Sequence, residues 1–437
     1  MSSHLLEGLL REAKDVIAVP RFPFELQGRV MQGLLIDSQQ EDLVESALPA
    51  IQTLPQRSDL KLDSGELDAQ LTHALGEAGV VEEAAIFGGY LIRHFGHFCH
   101  ESLSRLWWLG KGDPQHELSR EVCRALRDQQ LDVYFFMTKD LLPHMQDILA
   151  GLGLGSERIQ IMTKPLLFRQ LLVPAQAWGY NIDSNILDQR LGCDGKALIR
   201  SLFAEFHHLP PAEPSLQVAA AAPAKKVYVT RSGLPFQLGR PIGDRWLDEV
   251  LRDAGYLVFN PEQHSIHRQV EVFSEAAELV FVDGSAMYPL WFARLRPGVC
   301  ITIILRRSNG LWILNKVRDL MPTSLSIRWR VIDAVIAQDL TSSNDWQSHN
   351  LLDLGAIARQ ILSPGPVRAS AKAEHALGRN LQELASQLGP EPLGRIVEVL
   401  IRRFLVAEPQ PPRRLRSRIS QRLRSLLRLG RWGGAQN

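Results

Sequence analysis

Three histidines, a glutamate and two arginines crowd the stretch Tyr90-Leu-Ile-Arg-His-Phe-Gly-His-Phe-Cys-His-Glu-Ser-Leu-Ser-Arg-Leu-Trp-Trp108. Wound as a helix from His97, it divides into two faces. Cys99, Leu103, Leu106 and Trp107 fall at i, i+4, i+7 and i+8 and can bury together. His97, Glu101, Arg105 and Trp108 fall at i, i+4, i+8 and i+11 on the opposite side. An imidazole beside a carboxylate on one helix face can hold or move a proton, so this face reads as the wall of a polar site. Trp107 and Trp108 add aromatic surface, but Trp107 falls on the buried face and reads as core. A metal site is not expected from His94, His97 and His100, because a three-residue spacing drifts by about 60° per step around a helix. Only His97 and Glu101 share a face well.

A second set of polar residues sits at strand ends. After Pro-rich residues 207–226 the chain alternates regularly. Strands are expected at Val227–Thr230, Tyr256–Asn260, Leu279–Val282, Cys300–Leu305 and Ile327–Ile332, with helices at Gly243–Ala254, Ile266–Ala277, Ala286–Leu295 and Leu311–Leu320. Strands alternating with helices at this spacing predict a parallel, doubly wound sheet. Ligands of such sheets bind beyond the carboxyl ends of the strands. The loops there are Arg231-Ser232-Gly233, Asn260-Pro261-Glu262, Asp283-Gly284-Ser285 and Arg306-Arg307-Ser308-Asn309-Gly310. Arg231, Arg306, Asp283, Gly284 and Ser285 together suggest a phosphate-bearing ligand. Gly284 and Ser285 open a helix, whose N–H groups favour an anion. The plain alternatives are surface salt bridges and an ordinary helix cap.

The first half repeats the alternation less regularly. Ala84–Phe87, Leu131–Met137, Arg158–Met162 and Leu167–Val173 read as strands and Leu141–Leu152 as a helix. Gly151-Leu-Gly-Leu-Gly155 follows a helix rather than a strand and reads as a helix stop, not a dinucleotide fingerprint. No Walker A sequence occurs. The expected fold is therefore α/β, with two Rossmann-like domains facing a cleft and a helical C-terminal tail. The boundaries are an N-terminal α/β domain at 1–206, a linker at 207–226, a C-terminal Rossmann-like domain at 227–345, a helical extension at 346–410 and a tail at 411–437. A chain of 437 residues is too long for one ordinary core.

The totals narrow the function classes. A net charge of +1 gives no reason to expect nucleic acid. Cys99, Cys123, Cys193 and Cys300 are scattered, with no Cys-x-x-Cys pair, which fits a reducing compartment. No signal-peptide pattern and no apolar run of membrane-spanning length is found. Arg413 to Trp432 alternates arginines with Leu415, Ile419, Leu423, Leu426 and Leu427. That is the pattern of a basic amphipathic helix, which lies on an anionic membrane surface or docks on its own protein. A cytoplasmic protein, peripheral at the inner face of the membrane, is the expectation.

Gly96-His-Phe-Cys-His-Glu-Ser-Leu-Ser-Arg-Leu106 resembles the Tyr/Gly-His-Phe/Trp-x-x-Asp/Glu-x-x-Pro-Arg-Leu motif of glycosyltransferase family 61, once grouped as capsular polysaccharide biosynthesis proteins. Lys226-Val-Tyr-Val-Thr-Arg-Ser232 resembles that family's strand ending in arginine. Gly255–Glu262, Gln269–Ala276 and Leu279–Ser285 follow in the family's order. The resemblance covers about residues 84–305. Asp283 stands where many members have histidine, Ser104 where proline is usual, and Arg240-Pro-Ile-Gly-Asp-Arg245 where they have Arg-x-x-x-Asn-Glu.

The resemblance implies a GT-B architecture and inverting transfer of a sugar from a nucleotide-sugar donor, without a metal or other cofactor. The acceptor it implies is a glycan or a lipid-linked glycan. On that footing Glu101 is the candidate base, with His97 as its orienting partner or its substitute. Arg231, Gly284 and Ser285 would contact the diphosphate, assisted by Arg240, Asp283 and Arg306. Two rivals remain at this level. One is an inactive nucleotide- or glycan-binding scaffold, favoured by the departures at Asp283 and Asp244-Arg245. The other is an unrelated Rossmann enzyme such as an epimerase, disfavoured by the missing dinucleotide fingerprint.

Overall fold

The computed structural model describes residues 9–20, 25–26, 29–30, 33–37, 43–46, 72–73, 76–137, 140–178, 193–206, 225–307, 310–322, 325–338, 349–363 and 370–387. Two sheets dominate it. The first runs in the order Leu43–Ser46, Gly33–Asp37, Leu10–Pro20, Leu166–Pro174, Ala85–Tyr90, Val133–Phe136, Ile159–Met162, with Gly79–Val81 beside Leu166–Pro174. Its last four strands are mutually parallel, and Leu10–Pro20 joins them antiparallel. The strands read from the first half of the sequence are all present. Leu10–Pro20 is an addition. Its polar first half, Arg11-Glu12-Ala13-Lys14-Asp15, conceals the buried run Val16–Val19.

The second sheet has the order Leu257–Phe259, Lys225–Val229, Ala276–Val282, Cys300–Leu305, Arg328–Asp333, and every pairing is parallel. In chain order this is 2-1-3-4-5, a doubly wound arrangement with its switch point between the first and third strands. All five expected strands are present. Cys300–Leu305 is wholly buried, as an apolar central strand should be. Asp244–Asp253 enters from Gly243 at φ 84° and stops before Gly255 at φ 85°. Ile266–Glu275 is capped by the Ser265 hydroxyl, which accepts from the Arg268 N–H.

Two helical segments differ from expectation. Residues 286–295 were expected to form an α-helix, and the chain instead makes a 3-10 helix at Ser285–Phe292 with Pro289 inside it. Proline lacks the N–H for an i to i−4 bond and its ring clashes with the preceding turn. The stretch from His97 is likewise not one helix. Phe95–His100 is α-helical, Ser102–Arg105 and Trp107–Leu109 are 3-10 turns, and the break falls at Glu101. Serine hydroxyls compete for the backbone there. Ser102 Oγ donates to Tyr90 O at 2.7 Å and accepts from the Ile92 N–H at 3.0 Å. Ser104 Oγ donates to Glu101 O at 2.7 Å.

One buried apolar cluster runs from the first sheet to the second. His100 stacks on Trp178 with ring centroids 3.9 Å apart, and Trp178 meets Trp291 edge-on. Phe203, on the helix Gly195–Glu205, stacks on Trp291 of the 3-10 helix. The Phe95–His100 helix lies against the same 3-10 helix, close enough that a Cβ on Gly96 would stand 3.0 Å from Tyr288 Cε2.

A second cluster joins the helix Asp244–Asp253 to Leu354–Leu362 and Ala371–Gln387. The described part of the helical extension therefore shares a core with the second sheet. Residues 207–224 of the expected linker, and the basic tail 411–437, lie outside the described residues. Among the described residues no helix is long and apolar enough to cross a membrane.

Candidate active site

The helix break at Glu101 decides which side chains form the polar wall. Cys99, Leu103, Leu106 and Trp107 are buried, as their spacing predicts. The opposite face is shorter than expected. Trp108 is core, and Arg105 turns inward to donate to Pro174 O at 2.9 Å beneath the Phe87 ring. A 3-10 turn advances about 120° per residue rather than 100°, so beyond Glu101 the helical register is lost. His97 and Glu101 alone remain as the polar pair.

Their geometry is suited to proton transfer. Glu101 is 3% exposed, and its Oε1 lies 3.3 Å from His97 Nδ1. Its Oε2 is buried with no hydrogen-bond partner. Burial pushes the Glu101 carboxyl above its ordinary range, and the hydrogen bond and charge of His97 oppose this. His94 packs edge-on against His97, and burial, then His97, lowers its pKa. His100 is a core histidine held neutral by burial, with Lys316 and His97 adding to the effect.

The loops of the second sheet converge as their strand order requires. Asp283, at the end of the third strand, is fully buried. Its Oδ2 accepts from the Arg306 backbone N–H at 2.8 Å. Its Oδ1 lies 3.2 Å from Arg306 Nε and 3.3 Å from Arg307 Nε. Arg306 Nε also donates to Asp283 O at 3.1 Å.

Arg231, at the end of the first strand, completes the group. A Cβ placed on Gly284 would stand 2.6 Å from its Nη1, so the guanidinium lies directly over the Gly284 backbone. Arg231 Nη2 donates to Leu238 O at 2.5 Å, while its Nε is buried without a hydrogen-bond partner. Burial lowers the Arg231 pKa, with Asp283 opposing and Arg307 reinforcing the shift. Ser285, half-buried, begins the 3-10 helix that lies against the Phe95–His100 helix. The switch point and the His97–Glu101 pair are thus carried by touching elements.

Arg240 is placed differently from the other arginines. It is 1% exposed, and its Nε and Nη2 donate to Asp244 at 2.7 and 3.0 Å. Its Nη1 lies 3.1 Å from Glu383 Oε1. These partners engage all three nitrogens, so Arg240 is an internal tie rather than a ligand contact.

Three contributors went unrecognised in the sequence. Arg307 was read only as part of a loop, and nothing in its position marked it as reaching Asp283. Thr230 and Asp248 form a buried pair, with Thr230 Oγ1 donating to Asp248 Oδ1 at 2.7 Å. The Ser232 N–H in turn donates to Thr230 Oγ1 at 3.1 Å, which fixes the loop that bears Arg231. Burial raises Asp248 to about 6 against the hydrogen bonds of Ser232 and Thr230. Among the described residues no group of three or more His, Cys, Asp or Glu is placed to hold a metal ion.

The matching family model is Glycosyltransferase 61, over residues 95–302. This segment belongs to that family. The glycosyltransferase 61 segment runs from the start of the Phe95–His100 helix to the fourth strand of the second sheet. It therefore includes Glu101, Arg231 and Asp283 and stops just short of Arg306. The match supports glycosyltransferase activity in general terms.

No curated protein matches the chain. Solved structures similar to it include the bacterial iron-containing dodecameric glycosyltransferase TibC from enterotoxigenic E. coli H10407, at 12% identity over 86% of this chain and 93% of that chain, TM-score 0.24. Another is the dodecameric iron-containing heptosyltransferase TibC in complex with ADP-D-beta-D-heptose, at 13% identity over 90% of this chain and 92% of that one, TM-score 0.25. Likeness at these scores carries no argument about fold or activity.

Proposed function

We propose that the protein is an inverting glycosyltransferase that moves a sugar from a nucleotide-sugar donor to a glycan or lipid-linked acceptor in envelope polysaccharide synthesis. The observation that carries this reading is the arginine group at the switch point. Arg306 and Arg307 close on Asp283, and Arg231 lies over Gly284 with a buried, unpartnered Nε. A buried donor without an acceptor is costly, and a diphosphate oxygen would satisfy it with a charge-assisted bond.

The chemistry is a single in-line displacement. The acceptor oxygen forms its bond to the anomeric carbon as the bond from that carbon to the diphosphate oxygen breaks. The acceptor proton passes to Glu101 Oε2, and the electron pair of the breaking bond leaves with the nucleoside diphosphate. Arg231 stabilises that growing charge, together with the N–H groups at Gly284 and Ser285. His97 fixes Glu101 Oε1 and leaves Oε2 to face the acceptor. A carboxylate whose pKa is raised by burial is a better base near neutral pH than an exposed one. The basic segment Arg413–Trp432 would bring the enzyme to the lipid surface where a lipid-linked acceptor resides.

A thermal-shift panel of nucleotide sugars, followed by assay of nucleotide release and by NMR of the product anomer, tests the reading. A stabilising donor, released nucleotide and an inverted anomeric centre are expected. Glu101→Gln should lose transfer by about 100-fold or more while keeping donor affinity. Near-normal turnover in that variant would remove Glu101 from the role. Donor binding with no turnover on any acceptor extract would favour the inactive scaffold, to which the buried Asp283 in the arginine group also lends itself.

A further inference from the structure

Arg231 is held in place by a strap that is tied down from far along the chain. The strap is the segment 234–240. It begins where the Leu234 N–H donates to Arg231 O at 2.9 Å. It passes through the 3-10 turn Phe236–Leu238, whose last carbonyl accepts from Arg231 Nη2. It ends where Pro241–Ile242 pairs in parallel with Asn350–Leu352.

Arg240 clamps this strap internally. Its guanidinium lies over the Phe236 ring at 4.3 Å, and Phe236 stacks on His349. Asp244 takes Nε and Nη2, and Nη1 is divided between Leu234 O at 3.4 Å and Glu383 Oε1 at 3.1 Å. Glu383 also pairs with Arg245 at 3.2 Å. It belongs to the helix Ala371–Gln387, beyond the segment that the family model covers.

We propose that Glu383 is a positioning residue for the diphosphate site. Its ion pair with Arg240 draws that guanidinium against Leu234 and Phe236, so the strap presents the Leu238 carbonyl to Arg231. Arg231 is thereby oriented over Gly284. The inference rests on the reading that Arg231 receives the donor diphosphate. Asp244 alone cannot do this. Its two bonds secure Arg240 to its own helix and leave Nη1 with only a long contact to the strap.

Pyrophosphate is a suitable probe because it carries the shared chemistry of every nucleoside diphosphate. Isothermal titration would compare the full-length wild type, Arg231→Ala, Glu383→Gln and Lys372→Ala. Lys372 pairs with Glu249 at 2.9 Å, so it joins the same two helices without touching the strap. Glu383→Gln should weaken pyrophosphate binding by roughly tenfold, the equivalent of one charge-assisted bond passed on in part. Lys372→Ala should leave the affinity unchanged while removing one tie between the same two helices. That contrast separates positioning from mere helix docking. In Glu383→Gln the Leu238 and Gly239 amides should also exchange faster, since their bonds to Pro235 O and Phe236 O form the strap turn.

If Arg231→Ala abolishes binding while Glu383→Gln binds as the wild type does, the positioning role is overturned and the diphosphate site stands. If Lys372→Ala weakens binding as much as Glu383→Gln, the role is again overturned, because docking alone explains it. If the wild type does not bind pyrophosphate, or Arg231→Ala binds it equally well, the site reading falls and this inference with it.

Discussion

Gly284 offers a test of how tightly the arginine group is built. Its φ of 157° and ψ of 179° lie in a region that is essentially restricted to glycine. Alanine at this position costs about 1–3 kcal/mol in backbone strain. The added Cβ would also stand 2.6 Å from Arg231 Nη1. The guanidinium must then retreat by about 1 Å to regain ordinary contact distance. That retreat breaks the 2.5 Å bond to Leu238 O, a charge-assisted bond worth about 1.5–3 kcal/mol. Gly284→Ala should therefore cost about 3–5 kcal/mol in the wild type. In an Arg231→Ala background the clash is gone and only the strain of about 1–3 kcal/mol remains. Urea unfolding of the wild type, the two single variants and the double variant gives a coupling energy, expected at about 2 kcal/mol. Additivity to within about 0.5 kcal/mol would show that Arg231 does not lie over Gly284, and the reasoning would fail.

Three further outcomes follow from the same geometry. Asp248 is held at about 6 against an ordinary 3.8, so the folded protein retains a proton that the unfolded chain has released between those values. Stability attributable to this group is thus present at low pH and declines as pH rises through that window, by up to about 3 kcal/mol. Asp248→Asn cannot titrate, and urea titrations from pH 4 to 6 should show a flatter profile than the wild type; parallel profiles would refute the assignment. Ser102→Ala removes the hydroxyl's bonds to Tyr90 O and from the Ile92 N–H. It should destabilise the fold by about 1–3 kcal/mol, and an unchanged midpoint in chemical unfolding would show that these bonds do not hold the helix break. Gly96→Leu should lower thermal stability by forcing the Phe95–His100 helix away from Tyr288, and an unaltered melting curve would mean that the two helices do not pack as described.

Much of the second sheet was legible because buried parallel strands advertise themselves. Val227–Val229 and Leu279–Val282 are apolar runs, Cys300–Leu305 is interrupted only by Thr302, and they are followed by Thr230-Arg231, Asp283 and Arg306. Reading the one or two residues after each run then located Arg231, Asp283 and Arg306 without any knowledge of pairing. The strand order remained hidden, since nothing in a single strand says which neighbour it will take. That order is what brings the Arg231 and Gly284 loops together. The helix from His97 was misjudged because periodicity was followed past two serines. Ser102 and Ser104 offered a local signal, in that hydroxyls spaced two apart can divert backbone groups. The internal partners of Arg240 were hidden for a different reason. A buried arginine four residues before an aspartate, Asp244, is as good a sign of an internal ion pair as of a ligand contact. Glu383 could not have been foreseen, because its partner lies 143 residues away.

A crystal structure with a nucleoside diphosphate soaked or co-crystallised into the full chain would test the central claim most directly. The account predicts phosphate oxygens within hydrogen-bonding distance of the Arg231 guanidinium and of the Gly284–Ser285 backbone, with Glu101 Oε2 facing the same space. Density for the diphosphate at another place, with Arg231 Nε still unpartnered, would contradict it.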